Sequence, residues 1–334
     1  MLRFLSTRLW NGLLVMIGVS FISFMLFSYI GDPVNNLLGE TATVAQKEAL
    51  RASLGLDQSL VVRFFKYLGL AVRGEFGISY RNLEPVGQLL MSRVPATLEL
   101  SLCAAMLALG LGIPMGVYAG IKRNSWLAQT MQVVSLIGIS IPSFLTGIIL
   151  ILIFSVELNW LPAFGRGEVV SFGSWSTGFL TVSGWKSLVM PSITLALFQL
   201  TLFMRLVRSE MMEVLRTDYI KFARARGIAD RSIHFHHALK NTLIPVITVA
   251  GLQLGSLIAF SIITETVFQW PGMGLLIIQA ITFSDIPVIP AYPLLIPLLC
   301  VSINACACLL YCHVAPPACV SLPPLQVAPL RTTA

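Results

Sequence analysis

Residues 205–245 read RLVRSEMMEVLRTDYIKFARARGIADRSIHFHHALKNTLIP, the only long polar run in the second half of an otherwise apolar chain. The run sets Arg205, Arg208, Arg216, Lys221, Arg224, Arg226, Arg231 and Lys240 against Glu210, Glu213, Asp218 and Asp230, with apolar segments on both sides. Two readings of the residues stand side by side. A charged, helix-patterned loop between spans is a docking surface for something in the cytoplasm. Alternatively, it is an ordinary juxtamembrane loop, positive because cytoplasmic loops collect Lys and Arg.

Working outward, the composition fixes the class. The 334 residues are 56% hydrophobic and 11% charged, against about 25% charged in a soluble domain. Too few charges remain to cover a soluble surface, so the expectation is a polytopic membrane protein. The net charge of +7 follows from the positive-inside rule and excludes nothing but a need for nucleic acid as its explanation. No nucleic-acid partner is expected. Of the six Cys, five (Cys300, Cys306, Cys308, Cys312, Cys319) fall near the end without any C-x-x-C. That spacing fits neither a zinc site nor a disulfide framework, and no metal site is expected.

Hydropathy predicts an all-α protein of about six transmembrane helices. Residues 9–30 form a first apolar run, roughly 33 Å long as a helix, which is longer than a signal-peptide core. Arg3 and Arg8 before it put the N-terminus in the cytoplasm. Residues 31–96 form an external segment in which 44–54 reads as a short helix and 60–72 as an amphipathic one. The remaining spans are expected at 97–121, 128–154 (broken at Pro142), 188–206, 243–267 and 286–311. Trp160, Trp175 and Trp185 suit the membrane interface. Pro287, Pro290, Pro293 and Pro297 disturb the last span. This divides the chain into 1–30, the external segment 31–96, a membrane-spanning core 97–311 containing the loop 205–245, and an irregular tail 312–334. Both termini are cytoplasmic.

Small residues mark helix contacts. Gly112, Gly116 and Gly120 recur every four residues on one helix face, and Gly251 and Gly255 form a similar pair. The run GLGIPMG around Gly112 imitates a phosphate loop. It lacks the following Lys-Ser/Thr and lies in a span, so no ATP site is expected in this chain. Catalytic residues are not expected either, because no nucleophile, base or metal constellation appears at span depth. Gln199, Gln253 and Glu265 are the polar span residues that qualify for a translocation pathway or gate. Glu265, near the Trp270 turn, is also placed to face water or bond that turn. His234, His236 and His237 do not share one helix face and are assigned to the loop rather than to a metal.

Inside the loop, Thr217 or Asp218 caps a helix starting at Tyr219, Ala223 and Ala225 keep it slim, and Gly227 ends it. Asp230 caps a second helix over 231–239, leading to Asn241 and Pro245. The result is helix–Gly–helix lying across the bottom of the spans.

This pattern resembles the "EAA" loop of binding-protein-dependent ABC importer permeases, in the variant of the dipeptide, oligopeptide, glutathione and nickel branch. Lys221-Phe222-Ala223 occupies the triplet and Gly227 the motif glycine, while Asn241, Leu243 and Pro245 match the closing residues. Further matches include Gly31-Asp32-Pro33, Leu54-Gly55-Leu56-Asp57, Gly74-Glu75-Phe76-Gly77, Pro95-Ala96-Thr97-Leu98, Ile141-Pro142-Ser143-Phe144 and Glu265-Thr266-Val267-Phe268 with Trp270-Pro271-Gly272. The resemblance covers residues 1–288. It implies a type I importer permease fold in a bacterial inner membrane, with Asp218, Tyr219, Lys221, Phe222, Ala223, Ala225, Arg226, Gly227, Asp230, Asn241 and Pro245 forming an ATPase-coupling element. It also implies partners: a second homologous permease, two cytoplasmic ATP-binding subunits that carry ATP and Mg, and a periplasmic solute-binding protein. Peptides are the expected cargo, with nickel chelates or glutathione as alternatives within the branch. From another class, an ion-gradient-driven secondary transporter is the alternative. After Tyr311 the pattern is lost and the composition turns rich in Cys and Pro, as a frameshifted or degenerate gene end would produce.

Overall fold

The computed structural model describes residues 2–30, 34, 43–53, 57–173, 175–283 and 285–314. Within these the chain runs α1 (Leu2–Ile30), α2 (Val44–Ser53), α3 (Leu60–Val72), α4 (Val86–Ile121), α5 (Trp126–Ser140) and α6 (Ser143–Leu150), which continues as a π-helical stretch, Ile151–Glu157. A short hairpin, β1 (Val170–Phe172) and β2 (Trp175–Thr177), precedes α7 (Val182–Val214) and the loop helix α8 (Asp218–Ala225). The helix α9 (Asp230–Val267), α10 (Met273–Thr282) and α11 (Val288–Val314) complete it. Among the described residues the regular structure is helical apart from an isolated bridge between Ile78 and Pro85 and the hairpin, whose strands pair antiparallel with Val170 opposite Thr177 and Phe172 opposite Trp175.

The centre is the packing of α4 on α7, and glycine permits it. A Cβ added to Gly112 would lie 3.1 Å from the Leu200 carbonyl oxygen, one on Gly116 2.6 Å from that of Met204, and one on Gly120 2.8 Å from Met211 Cβ. The α7 backbone therefore rests directly on the glycine face of α4. Around this seam, Ala104, Ala105 and Ala108 of α4 meet Phe203, Val207 and Met211 of α7 in one buried cluster. That cluster is continuous from Ile220 and Ala223 of α8, through Ile233, Ala238, Val246 and Leu257 of α9, to Trp270 beyond the other end of α9. A second cluster joins the start of α4 (Val86, Leu90, Val94) to α10 (Met273, Ile277) and α11 (Val288, Leu295).

Among the described residues, α4, α7 and α9 are long and apolar enough to cross a membrane, and α5 with α6 qualifies as a broken pair. The break at Pro142 is sharper than a kinked span: the two helices meet at 104°. Proline disfavours the helical conformation at the residue before it, and Ile141 is extended at φ −85°, ψ 125°. Pro142 then serves as the N-cap residue of α6.

Several expected boundaries shift. The helix containing the second span begins at Val86 rather than at 97. Residues 205–214 are the end of α7, not loop. The separate second loop helix does not exist: residues 230–232, a π-helical stretch Ile233–Ala238 and Leu239–Val267 form one continuous helix, which runs through Pro245. A proline removes one helical hydrogen bond, and the flanking turns of a long helix carry it across. The same holds for α11, which passes Pro293 and Pro297 and ends at Val314, beyond the expected start of an irregular tail at 312. Residues 31–33, 54–56 and 315–334, on which two of the sequence matches and most of the tail fall, lie outside the described residues.

Candidate coupling and translocation site

The loop helix α8 begins after Thr217, which holds the extended N-cap conformation. The Thr217 hydroxyl donates back to the Val214 carbonyl at 2.5 Å instead of capping the helix. Asp218 is the first helical residue and not a cap, and no side-chain cap bond forms. Its carboxylate, suited to the positive helix start, accepts from Lys221 Nζ at 2.9 Å. That hydrogen bond holds Asp218 below the usual carboxylate range. Asp230 is likewise one position too late to cap. Ala229 holds the N-cap conformation, while the Asp230 carboxylate lies 3.6 Å from Arg224 Nε.

At the other end, Gly227 has φ +78°. Its N–H donates to the Arg224 carbonyl at 3.0 Å and that of Ile228 to the Ala223 carbonyl at 3.3 Å. These two bonds are the Schellman termination, in which the left-handed residue is almost always glycine. The chain thus reverses from α8 into α9 at one defined point.

The two alanines of α8 part company. Ala223 is 7% exposed and packs with Ile220 into the central cluster, whereas Ala225 faces outward. Ala225 lies about 200° around the helix from Ala223, on the side away from the buried residues. The outward face consists instead of Tyr219, Lys221, Phe222, Ala225 and Arg226, with the Arg226 guanidinium 4.9 Å from the Phe222 ring centroid. Asn241 Nδ2 donates to Tyr219 Oη at 2.8 Å and ties α8 to α9. Pro245 is half-buried one turn further on, His236 and His237 are exposed, and His234 is half-buried.

Of the polar span residues, two come together and one stands apart. Gln199 on α7 is buried and donates from Nε2 to Ser256 Oγ at 3.2 Å, while the Ser256 hydroxyl donates to Gln253 Oε1 at 2.9 Å. The Gln199 Oε1 atom is buried without a partner. This polar cluster bridges α7 and α9. Along α9 from it, Leu252, Phe260 and Ile263 are exposed. Gly255, in the same stretch, turns its carbonyl to Cys300 Sγ of α11 at 3.6 Å, and Gly251 is half-buried.

Glu265 is fully enclosed. Its Oε1 accepts from the Thr97 hydroxyl at 2.7 Å and the Ser261 hydroxyl at 3.0 Å. Its Oε2 accepts from the N–H groups of Gly274 at 2.7 Å and Leu275 at 3.0 Å. The Met273 N–H donates to Thr97 Oγ1 at 2.8 Å. The three leading amides of α10 are therefore satisfied from α4 and α9, and the carboxylate meets the positive end of a helix. With four hydrogen bonds accepted and no exposed atom, the Glu265 carboxylate ties α9 to α4 and to the start of α10.

Sequence reasoning missed two further buried acids. Glu99 on α4 forms an ion pair with Arg166, with 3% and 7% of the two side chains exposed. Asp285 accepts from the Ser79 hydroxyl at 2.5 Å and the Tyr80 N–H at 2.9 Å. A lone acid inside an apolar run was the available signal for Glu99, but its partner lies 67 residues away.

Three long apolar helices, a broken pair and a loop helix packed into their core define a multi-pass membrane protein. Two family profiles match: "Binding-protein-dependent transport system inner membrane component" over residues 112–316, and the N-terminal membrane component of the same systems over residues 1–101. The chain belongs to this family of transport permease subunits. It is 40% identical over 328 residues to the di/tripeptide transport system permease protein DppB of Pseudomonas aeruginosa, covering 93% of this chain and 97% of that one. Identity is 37% over 333 residues to the dipeptide transport system permease protein DppB of Escherichia coli K12, covering 95% and 98%. Among solved structures, an inward-facing MetNI methionine ABC transporter matches with a TM-score of 0.53 at 20% identity, over 68% of this chain and 96% of that one. That likeness establishes the type I ABC importer permease fold.

Proposed function

We propose that this chain is one of two permease subunits of an ATP-driven importer that moves di- and oligopeptides across a bacterial inner membrane, with about six spans and both termini in the cytoplasm. Two cytoplasmic subunits bind ATP and Mg, and a solute-binding protein delivers peptide from outside. The observation that carries the reading is the loop helix α8. Its inner face, Ile220 and Ala223, is built into a core continuous to Trp270, while Tyr219, Phe222, Ala225 and Arg226 are left outward for a partner. Movement of an ATPase against that outward face is passed to α9 through packed side chains, since a close-packed core shifts as a body rather than yielding locally. The names of the relatives support peptide as cargo.

The exposed face of α9 beside Gln199, Ser256 and Gln253 is the surface we assign to the pathway and to the second permease. Neutral hydrogen-bonding groups there would relay a zwitterionic peptide without trapping it. The test is uptake of labelled dipeptides and longer peptides in a strain lacking its own peptide permeases. Expression of this chain together with a companion permease, ATP-binding subunits and a solute-binding protein is expected to restore uptake. Unchanged uptake of every peptide alongside restored nickel or glutathione uptake would move the cargo assignment.

A further inference from the structure

The Glu99–Arg166 pair is used by nothing described so far. Desolvating two charges costs several kcal/mol each, and an ionisable residue kept inside an apolar span has a task by default. Glu99 Oε2 accepts from Arg166 Nε at 3.2 Å and Nη2 at 2.5 Å. The same carboxylate accepts from the Gly178 N–H, at 3.2 Å to Oε1 and 3.4 Å to Oε2. Arg166 in turn donates from Nη1 to Ser176 Oγ at 2.9 Å and from Nη2 to the Ser176 carbonyl at 2.7 Å. One carboxylate on α4 therefore holds both ends of the outer segment 166–178, directly at Arg166 and Gly178 and through Arg166 at Ser176.

Between those ends Glu168 is also tied to the start of α7, its N–H donating to Ser183 Oγ at 2.9 Å and its carbonyl accepting from the Thr181 hydroxyl at 2.6 Å, but the hairpin beyond it is weakly supported. A two-stranded hairpin is marginal alone, and β1–β2 leaves Val170, Phe172 and Trp175 exposed. The hairpin nonetheless forms one wall of an outer cavity of about 720 Å³, with Trp175 and Ser176 facing Phe76, Gln88 and Ser92. The turn of α4 that carries Glu99 also holds the far end of α9. The Ala96 carbonyl accepts from Trp270 Nε1 at 2.9 Å, and Thr97 bonds both Glu265 and Met273. The Arg166 guanidinium lies 6.0 Å from the Trp270 ring centroid, so the two networks touch.

We infer that Glu99 is a positioning residue for transport. It clamps segment 166–178 onto α4, so that this segment, α4 and the turn between α9 and α10 form one outer block that stays closed throughout the cycle. Motion driven from the cytoplasmic side then moves the block as a whole instead of opening the hairpin. The proposal rests on the transport reading for its functional part and on the geometry for the clamp.

Trypsin reads the clamp directly, because the Arg166–Gly167 bond follows the clamped arginine. The assembled transporter is reconstituted with its outer face exposed and treated with trypsin at rest and during turnover with ATP, binding protein and peptide. Cleavage is scored as a new N-terminus at Gly167. The wild type is expected to resist in both states. Glu99→Gln, which keeps an oxygen for Gly178 but loses the ion pair, is expected to be cut about tenfold faster or more. It also moves less peptide per ATP hydrolysed, a ratio that a mere loss of assembled protein would leave unchanged. Arg166→Lys keeps charge and cleavage site but loses the double fork, and is expected to behave like Glu99→Gln. Wild-type cleavage at rest, or cleavage that appears only during turnover, overturns the proposal. So does a Glu99→Gln transporter with normal resistance and a normal peptide-to-ATP ratio. Should the variants fail to assemble, the turnover arm on the wild type decides alone. Absence of ATP-driven uptake in the wild type would defeat the transport reading, while resistance at rest would still report on the clamp.

Discussion

Asn241 and Tyr219, 22 residues apart, are joined by a 2.8 Å hydrogen bond from Nδ2 to Oη that fastens the loop helix to the start of the long helix α9. Both groups are at the surface, so the bond stabilises the fold by no more than about 1 kcal/mol. Its value is directional, since it fixes the angle at which α8 meets its partner. Tyr219→Phe and Asn241→Ala are therefore expected to leave expression and thermal unfolding nearly unchanged while lowering the peptide moved per ATP hydrolysed. The double variant should be no worse than either single one. Additive losses would mean that the residues act separately.

Gly227 is held at φ +78° with nothing near its absent Cβ, so conformation rather than space limits substitution. Gly227→Val is expected to disrupt the reversal after α8 and to uncouple ATP hydrolysis from uptake while membrane insertion persists. Gly227→Asn, which tolerates the left-handed region, should retain most of the coupling. Equal loss in both would point to a side-chain clash with a partner instead. The comparison is read as hydrolysis and uptake measured on the same reconstituted sample.

The glycine face of α4 offers an internal control. A methyl at Gly116 would meet the Met204 carbonyl and Val207 Cβ at 2.6 and 2.7 Å, whereas one at Gly110 meets nothing within 4 Å. Gly116→Ala is expected to cost about 1–3 kcal/mol through overpacking. Gly110→Ala should be neutral or stabilise by up to about 1 kcal/mol through helix propensity. Thermal unfolding of the purified protein in detergent distinguishes them. Equal effects would place the α4–α7 contact elsewhere.

For Glu265, the partner chemistry sets the order of the variants. Glu265→Ala strands two amides and two hydroxyls and should cost at least about 3 kcal/mol. Glu265→Gln can keep its oxygen on the Gly274 and Leu275 amides and turn its NH2 to the hydroxyls of Thr97 and Ser261, which are able to accept. A loss of about 1 kcal/mol is expected, with uptake affinity unchanged. A selective change in uptake affinity at intact stability would place Glu265 in the pathway.

What the residues disclose by themselves is local. The apolar runs, the break at Pro142, the left-handed stop at Gly227 and the glycine face of α4 each follow from a short window, because backbone preference and helical period act over a few residues. Of the two candidate caps for α8, Thr217 takes the extended N-cap position and Asp218 does not, while Ala229 takes it one position ahead of the expected Asp230. The alternate facing of Ala223 and Ala225 required knowing which side of α8 the spans lie on. Nothing in a local window pairs Glu99 with Arg166 or gathers Gln199 with Gln253, since tertiary packing alone brings those groups together. The 104° angle between α5 and α6 and the π-helical stretch 233–238 depend on backbone detail that propensities do not encode.

The most direct measurement of ATP coupling uses vesicles containing this chain, its companion permease, the two ATP-binding subunits and the external binding protein. Peptide uptake is followed with and without ATP, with and without an ionophore, and after omission of the ATP-binding subunits. Uptake that needs ATP and its subunits and ignores the ionophore is expected. Uptake that persists without the ATP-binding subunits and collapses with the ion gradient would contradict the role assigned to the loop helix and make the chain a gradient-driven transporter.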